Sequence, residues 1–238
     1  MTTAAAAAPK AHKLYNLILP ISLARRSVLL GYKKRGFGVG KYNGFGGKVD
    51  AGETIVASAA RELEEESRLV CSEQQLMHHA ILLLETVAPD AEEEMILEIH
   101  VFVCTEWQGE VVETEEMRPQ WFSPDSLPLD DMWEETRVWM TAALELYLPQ
   151  PPPATAASSS CGILPTELNP PLRGKDKKWF IHYVDFHGGT NAQTGLWDPW
   201  HGMRNSVWQW FEEPLAGWSR ERIMDCAQSM RRGVEESD

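Results

Sequence analysis

Three glutamates lie close together on one predicted helix, and their spacing suits the binding of a cation. The segment 54–69 carries apolar residues at helical spacing, with Thr54 as a suitable N-cap. At about 100° per residue, Glu62 and Glu66 lie one turn apart, and Glu65 lies beside them at the edge of the apolar stripe. Like charges at this spacing destabilise a helix unless something neutralises them. A divalent cation would do so, because hard ions such as Mg²⁺ prefer carboxylate and carbonyl oxygens.

A glycine-dense loop directly precedes this helix. Seven glycines lie between Gly36 and Gly52, and Gly46 and Gly47 leave backbone groups free to approach a phosphate or a metal ion. The loop contains neither the Walker A pattern nor the dinucleotide-binding G-x-G-x-x-G pattern. A glutamate-rich helix taken alone is more often a solvated face, but the adjoining loop favours a site for a metal ion and a phosphate chain.

Further strands and helices are predicted on both sides of this loop and helix. The segment 149–160 is rich in Pro, Ala and Ser and cannot form a core, but a strand pattern resumes after it. It therefore interrupts a domain rather than ending one. The predicted strands are Leu14–Ser22, Ser27–Lys33, Ala80–Val87, Ile96–Trp107 and Lys178–Phe186, and the further helices are Asp131–Leu148 and Ser219–Arg232.

The loop and the helix together resemble the Nudix box, the signature of the Nudix hydrolase superfamily. The matching positions are Gly47, five residues, Glu53, seven residues, and then the run Arg61-Glu62-Leu63-x-Glu65-Glu66. Fixed residue types at fixed spacing make this match far more specific than a lone glycine triplet. One position departs, because Arg68 stands where the family usually has a glycine that closes the helix in a left-handed cap.

Other segments resemble one branch of the superfamily, the oxidised purine nucleoside triphosphate diphosphatases of the MutT-homologue type. These segments are KKRGFGVGKYNGFGGKV, HVFVCTEWQG, EEMRPQWF and DMW. The resemblance implies an α/β fold, the Nudix α/β/α sandwich with a mixed β-sheet. We expect a flexible tail at 1–12 and a Nudix domain at 13–198, interrupted by the Pro/Ala/Ser-rich insertion at about 149–175. A Trp-rich C-terminal extension follows at 199–238.

The resemblance also implies the reaction and the residues that carry it. Water attacks the phosphate chain of a nucleotide and releases the monophosphate and pyrophosphate, with Mg²⁺ or Mn²⁺ as the cofactor. Arg61 is expected to orient the box by pairing with Glu53 or a neighbouring carboxylate. Glu66 is the favoured general base, with Glu116 as second choice and Glu65 as a further catalytic group. The implied metal ligands are Glu62, Glu65, Glu66, Glu116 and the carbonyl of Gly46 or Gly47.

For the nucleotide, the resemblance implies a base pocket in which Trp133 stacks on the purine. Glu135 and Thr136 stand where the family has two adjacent aspartates that read the base edge, so Thr136 replaces an acid with a hydroxyl. Asn43 lies where the family hydrogen-bonds the purine. The other implied substrate contacts are Asn16, Lys33, Phe37, Phe45, Gly46, Gly47 and Lys48.

The amino-acid composition of the chain restricts the classes of binding partner. The chain has 22 basic and 35 acidic residues, a net charge of −13, which argues against a nucleic-acid polymer as partner but not against a single nucleotide. No apolar run approaches the roughly 18 residues of a membrane span, so no membrane partner is expected.

The four cysteines lie far apart, without a C-x-x-C pair, which predicts no zinc ribbon and no dense disulfide framework. A reducing, cytoplasmic location is therefore expected, with a nuclear or organellar nucleotide pool left open by the alanine-rich N-terminus.

Two other functions stay open at the level of sequence. One is a Nudix hydrolase of another nucleoside diphosphate derivative, such as a dinucleotide polyphosphate. The other is a nucleotide-binding or interaction protein without turnover, which would use the Trp-rich C-terminus for a protein contact. Five tryptophans in this region could cover the domain itself, form a dimer contact or bind a partner, and covering the domain is favoured. They are Trp197, Trp200, Trp208, Trp210 and Trp218.

Overall fold

The computed structural model describes residues 11–87, 95–148, 178–190 and 195–235. Nearly all of the predicted tail at 1–12 and the whole of the predicted insertion at 149–175 lie outside these ranges. The strands are β1 (Ala11–Ser22), β2 (Ser27–Lys33), β3 (Tyr42–Asn43), β4 (Met77–Thr86), β5 (Met95–Cys104), β6 (Met117–Phe122), β7 (Trp179–Phe186), β8 (Gly189–Thr190), β9 (Trp197–Asp198) and β10 (Met203–Phe211). The helices are α1 (Ile55–Ser67), α2 (Thr136–Glu145) and α3 (Arg220–Glu235).

Eight strands form one mixed sheet in the order β10-β7-β4-β5-β1-β2-β3, with β6 paired to β2. β1 runs parallel to β5, and β4 runs parallel to β7, whereas β4 and β5 are antiparallel. Sheets of this kind are buried on both faces, which explains the nearly continuous apolar runs of β1 and β4. β8 and β9 form a separate two-stranded hairpin.

Helices cover both faces of the sheet. α2 packs on one face, where Trp139 and Met140 join the largest core cluster. On the other face, α1 packs through Ala59 and Leu63, and α3 packs through Ile223 in a separate cluster. This arrangement is the α/β/α sandwich with a mixed sheet that the sequence predicted. Among the described residues, no helix is both long and apolar enough to cross a membrane.

Several elements differ from the predictions at their ends. α1 begins as predicted, because Thr54 Oγ1 accepts a hydrogen bond from the backbone N–H of Ala57 at 3.1 Å. α2 begins at Thr136 rather than at Asp131, because residues 129–131 form a short 3-10 turn and Met132 is extended. β6 and β10 were not predicted as strands.

The C-terminal segment adds a strand and a helix to the sheet. β10 pairs antiparallel with β7 along its whole length, and the ring of Trp210 lies 5.0 Å from that of Phe180. The residues after position 198 therefore extend the sheet and cover it with a helix. This agrees with the interpretation that the tryptophans pack on their own domain. A contact with another protein through this segment stays a prediction.

One cysteine pair was not predicted. The structure joins Cys71 and Cys104 as a disulfide beneath α1, with their Cα atoms 7.4 Å apart. Cys226 is free and half-buried. A single pair does not make the dense framework that the spacing of the cysteines argued against.

Candidate active site

A cavity of about 270 Å³ opens between the glycine-rich loop and the start of α2. One end is lined by charged residues and loop backbone, and the other end is lined by aromatic and aliphatic side chains. The lining residues that the sequence predicted are Asn16, Lys33, Phe37, Asn43, Gly46, Gly47, Lys48, Glu116, Trp133 and Glu135. The structure therefore brings together residues from six separate parts of the chain.

Lys33 lies between two of the predicted catalytic carboxylates. Its Nζ is 2.9 Å from Glu66 Oε1 and 2.5 Å from Glu116 Oε1. The pairing of β2 with β6 sets Lys33 opposite Met117 and so brings Glu116 alongside it. Burial lowers the pKa of Lys33, but the two carboxylates outweigh burial and raise it overall, which keeps the ammonium charged.

Glu66 is the most buried of the predicted acids, with a side chain 4% exposed. Burial raises its pKa to about 7, although Lys33 and the N–H of Gly46 favour the ionised form. That N–H donates to Glu66 Oε2 at 2.9 Å. A carboxyl with a pKa near neutrality is suited to accept and release protons at physiological pH.

Arg61 holds the remaining carboxylates of the helix. Its Nε and one terminal nitrogen bind both oxygens of Glu53, at 3.0 and 3.1 Å. The other terminal nitrogen donates to Glu62 Oε1 at 3.0 Å and to Glu65 Oε2 at 3.1 Å. Burial raises the pKa of Glu62, and Arg61 partly opposes this rise. The predicted pairing of Arg61 with Glu53 or a neighbouring carboxylate thus involves three glutamates at once.

Two glycines let the loop approach the acidic helix. A Cβ on Gly47 would lie 2.6 Å from Glu62 Oε1. A Cβ on Gly46 would lie 2.3 Å from the carbonyl oxygen of Asn16, and its φ of +147° is one that side-chain-bearing residues rarely adopt. A side chain at position 46 would force the loop backbone away from β1, and one at position 47 would displace the Glu62 carboxylate.

The donor set fits a hard divalent cation. Glu66 and Glu116 meet at Lys33, and the Glu62 carboxylate lies against Gly47 of the loop. All are oxygen ligands of the class that Mg²⁺ or Mn²⁺ prefers. Within the described ranges, no three acidic, His or Cys side chains are already arranged as a metal cage. Lys33 and Arg61 instead neutralise the carboxylates, so a bound cation would have to share or replace these ion pairs.

At the other end of the cavity, aromatic and aliphatic side chains form an apolar slot. Trp133 stacks on Phe37 with ring centroids 5.1 Å apart and planes inclined by 25°. Lys41 Nζ lies 5.1 Å from the Trp133 ring, which adds a cation–π contact. Phe37 is 62% exposed, so this ring closes the mouth of the slot.

Three buried polar atoms of cavity-lining residues have no hydrogen-bond partner among the described residues. They are Asn16 Oδ1, Glu135 Oε2 and Trp139 Nε1. Asn16 Nδ2 donates to Ser58 Oγ at 3.0 Å, which fixes the direction of its free oxygen. Since unpartnered buried polar atoms are costly, Glu135 Oε2 is suited to meet a hydrogen-bond donor of a bound base. Asn16 Oδ1 instead lies against Gly46, at the charged end of the cavity. Burial raises the pKa of Glu135 to about 7, so this side chain can also carry a proton and donate it.

Two residues predicted to contact the substrate do not line the cavity. Phe45 is fully buried in the core cluster beneath α1, because its backbone pairs with Ile18 and turns the ring inward. Thr136 is buried in the first turn of α2, and its Oγ1 lies 3.4 Å from Glu135 Oε1. It therefore contacts the neighbouring carboxyl rather than the cavity.

The structure adds lining residues that sequence reasoning missed. One group comes from β4, β5, α2, β7 and the loop after β9, and the others come from β1, the glycine-rich loop and β6. Strand alternation could have shown that the four aliphatic residues of β4 and β5 share a face, but nothing in the local sequence shows that this face meets Trp133. The first group is Leu82, Leu84, Leu97, Ile99, Trp139, Phe186 and Trp200, and the others are Tyr15, Leu17, Gly38, Gly44 and Met117.

Comparisons with known proteins agree with this geometry. Residues 17–143 match the NUDIX domain family. Proteins named oxidized purine nucleoside triphosphate hydrolase from Danio rerio and from Mus musculus are each 42% identical over 133 residues, which is 56% of this chain and 80% of each relative. The fold resembles that of a mutator MutT protein from Bacillus halodurans, with a TM-score of 0.50 and 15% identity over 85% of this chain and 99% of that one. The match to the family, together with these relatives, shows that the chain belongs to the Nudix hydrolase family.

Proposed function

We propose that the chain hydrolyses oxidised purine nucleoside triphosphates, such as 8-oxo-dGTP or 2-hydroxy-dATP, to the monophosphate and pyrophosphate. One observation carries the proposal: an apolar slot that contains Trp133 and the unpartnered buried Glu135 Oε2 continues to Lys33, which pairs with Glu66 and Glu116. The slot suits a flat base with donor groups, and the charged end suits a phosphate chain with its cation. The relatives from zebrafish and mouse, named for this activity, support the same assignment.

The divalent cation is proposed to be Mg²⁺, with Mn²⁺ as an alternative. Nudix hydrolases generally use divalent cations, and Glu62, Glu65, Glu66, Glu116 and the carbonyl of Gly46 would hold the ion here. When bound, it would neutralise phosphate oxygens and lower the pKa of a coordinated water.

The chain's own residues supply the other parts of the mechanism. Lys33, which is charged and lies between two carboxylates, can pair with a phosphate oxygen. Glu66, with its pKa near 7, is the proposed proton acceptor from the attacking water, and Glu116 is the second candidate. Arg61 keeps the acidic edge of α1 in place through Glu53.

Recognition of the base is assigned to the opposite end of the cavity. Trp133 stacks on the ring, a contact worth about 1–3 kcal/mol in comparable complexes. Glu135 Oε2 accepts a hydrogen bond from the base edge, and the protonated form of Glu135 can donate one. Thr136 then acts through Glu135 rather than by direct contact.

Pyrophosphate release across a nucleotide panel tests this function. The panel contains 8-oxo-dGTP, 2-hydroxy-dATP, dGTP, dATP and a dinucleotide polyphosphate, each with Mg²⁺, with Mn²⁺ and with excess chelator. We expect the highest kcat/KM on the oxidised purines and no turnover with chelator. Turnover concentrated on the dinucleotide would replace the substrate, and turnover unaffected by chelator would refute the assigned role of the cation.

The place of action is also a proposal. A cytoplasmic nucleotide pool agrees with the expected small-molecule substrate, although the Cys71–Cys104 disulfide is of a kind that is rare in reducing compartments. Fluorescence microscopy of the tagged protein, expressed in cells of the organism that encodes it, tests this location. Fluorescence confined to an organelle would contradict it.

A further inference from the structure

One wall of the cavity comes from beyond the region that matches the NUDIX family. Trp200 lines the cavity and lies in the loop between β9 and β10. Its ring meets that of Phe186 edge to face, with centroids 6.0 Å apart. Its backbone N–H donates to Asp198 Oδ1 at 2.9 Å. The loop thus holds an aromatic ring against the cavity in a defined position.

Glu134 fixes this loop to the start of α2. Its Oε1 lies 2.5 Å from His201 Nδ1 and accepts a hydrogen bond from the N–H of Gly202 at 3.3 Å. Its Oε2 accepts a hydrogen bond from the N–H of Met203 at 2.9 Å. Three consecutive residues directly after Trp200 are therefore held by one carboxylate.

We propose that Trp200 is a specificity-determining residue that contacts the base of the bound nucleotide, and that Glu134 is the positioning residue that holds it there. The proposal deepens the proposed function and rests on it. Glu134 lies between Trp133 and Glu135, and both of these residues line the cavity. One side chain therefore couples the wall at the start of α2 to the wall contributed by the β9–β10 loop.

The same hairpin offers a matched control. Trp197 lies in β9, three residues before Trp200, is 48% exposed and is absent from the cavity wall. Replacing either tryptophan by alanine removes the same chemical group from neighbouring positions. A difference in KM between the two variants then reflects the loss of a contact in the cavity rather than a general effect on the folding of this region.

The test compares full-length W200A and W197A by kcat and KM for pyrophosphate release from 8-oxo-dGTP and from dCTP with Mg²⁺. We expect W200A to raise the KM for 8-oxo-dGTP about tenfold with kcat within about twofold, because loss of a stacking contact removes binding that ground and transition states share. The KM for dCTP should rise less, and W197A should match the wild type. A W200A variant that matches W197A on both nucleotides overturns the proposal.

Calorimetric titration with 8-oxo-dGTP separates failure of this inference from failure of the proposed function. If the wild type releases no pyrophosphate from any nucleotide, the proposed hydrolysis fails. Affinity then still tests Trp200: binding about tenfold weaker in W200A than in W197A supports its role, and equal affinity overturns it. If W200A does not fold, W200F, which keeps a ring, and W200L, which does not, give the same comparison.

The positioning role of Glu134 is tested by a double-mutant cycle. E134A should reproduce the rise in KM of W200A, and E134Q should lie between E134A and the wild type because its amide oxygen still accepts from the backbone. The double variant W200A/E134A should show no further rise, since Glu134 acts through Trp200. Independent, multiplying effects on KM would contradict that role.

Discussion

The two ends of the cavity are built from the chain in opposite ways. The charged end, where the phosphate chain is proposed to bind, is called the phosphate end. There, a short contiguous stretch from Gly46 to Glu66 supplies most of the charged groups, and Lys33 and Glu116 add theirs at the ends of the paired strands β2 and β6. At the base end, the wall comes from β1, β4, β5, α2, β7 and the loop after β9. The end expected to carry the chemistry is therefore local in sequence, and the end expected to carry specificity is assembled by the fold.

This difference has a physical cause. A cation with a polyanion needs several oxygens at fixed separations, and one turn of a helix facing a glycine loop provides them with little help from elsewhere. A flat apolar slot needs side chains from elements that are far apart in sequence but adjacent in the sheet. Changes at the phosphate end should therefore alter kcat for every nucleotide, whereas changes at the base end should alter KM selectively.

Glu66→Gln should have the largest effect. The amide cannot accept a proton and is a poorer metal ligand, so we expect kcat for 8-oxo-dGTP to fall about a thousandfold while calorimetry still detects nucleotide binding. Glu64→Gln is the control, because Glu64 is exposed on the same helix. Unchanged turnover in Glu66→Gln would refute the assigned active site.

Arg61→Ala should have the next largest effect. It frees Glu53, Glu62 and Glu65 from one guanidinium, so we expect the metal concentration for half-maximal activity to rise about 10- to 100-fold, as for other residues that orient metal ligands. Arg61→Lys should recover little, since an ammonium cannot make the two-point contact with Glu53. Full activity of Arg61→Ala at low metal would show that the carboxylates need no such support.

At the base end, Glu135→Gln should change the dependence on pH. Because burial raises the pKa of Glu135 to about 7, the folded protein holds a proton that the unfolded chain has already lost between about pH 4.5 and 7. The free energy of unfolding should therefore fall as pH rises through this window, and the variant should lack this part of the slope. Urea unfolding at a series of pH values measures it. Glu66 titrates in both proteins, so the difference between them isolates Glu135.

The same substitution should alter substrate affinity above neutrality. In the wild type, the KM for 8-oxo-dGTP should rise by a few-fold above about pH 7 as Glu135 ionises and stops donating a hydrogen bond. Glu135→Gln keeps a donor at all pH values, so its KM should stay flat. Parallel profiles of KM for both proteins would exclude a protonated Glu135 from base recognition.

The two ends of the cavity also differ in how much of them could be predicted from the sequence. The N-cap Thr54 and the acidic edge of α1 were predictable, because hydrophobic periodicity and residue spacing are local properties. The sandwich was predictable only through the resemblance to the Nudix family. Phe45 was assigned to the substrate because it lies in the loop, but its pairing with Ile18 buries it. Trp139, Phe186 and Trp200 could not have been found, since their meeting depends on strand order and on the β9–β10 loop.

Substitution of Arg68, at the C-terminal end of α1, should have the smallest effect. It tests whether the phosphate end depends only on the residues of its own contiguous stretch. Arg68 has φ +66° and caps α1 by donating its N–H to the carbonyl of Glu64. Arg68→Gly should relieve a left-handed strain of about 1–2 kcal/mol, partly offset by the greater freedom of glycine in the unfolded chain. We expect a net gain of about 0.5–1 kcal/mol in unfolding free energy and unchanged kcat. Arg68→Ala keeps the Cβ and should give no gain. If Arg68→Gly changes kcat, then the departure from the family at this cap reaches the carboxylates one turn away, and the phosphate end depends on how its helix ends.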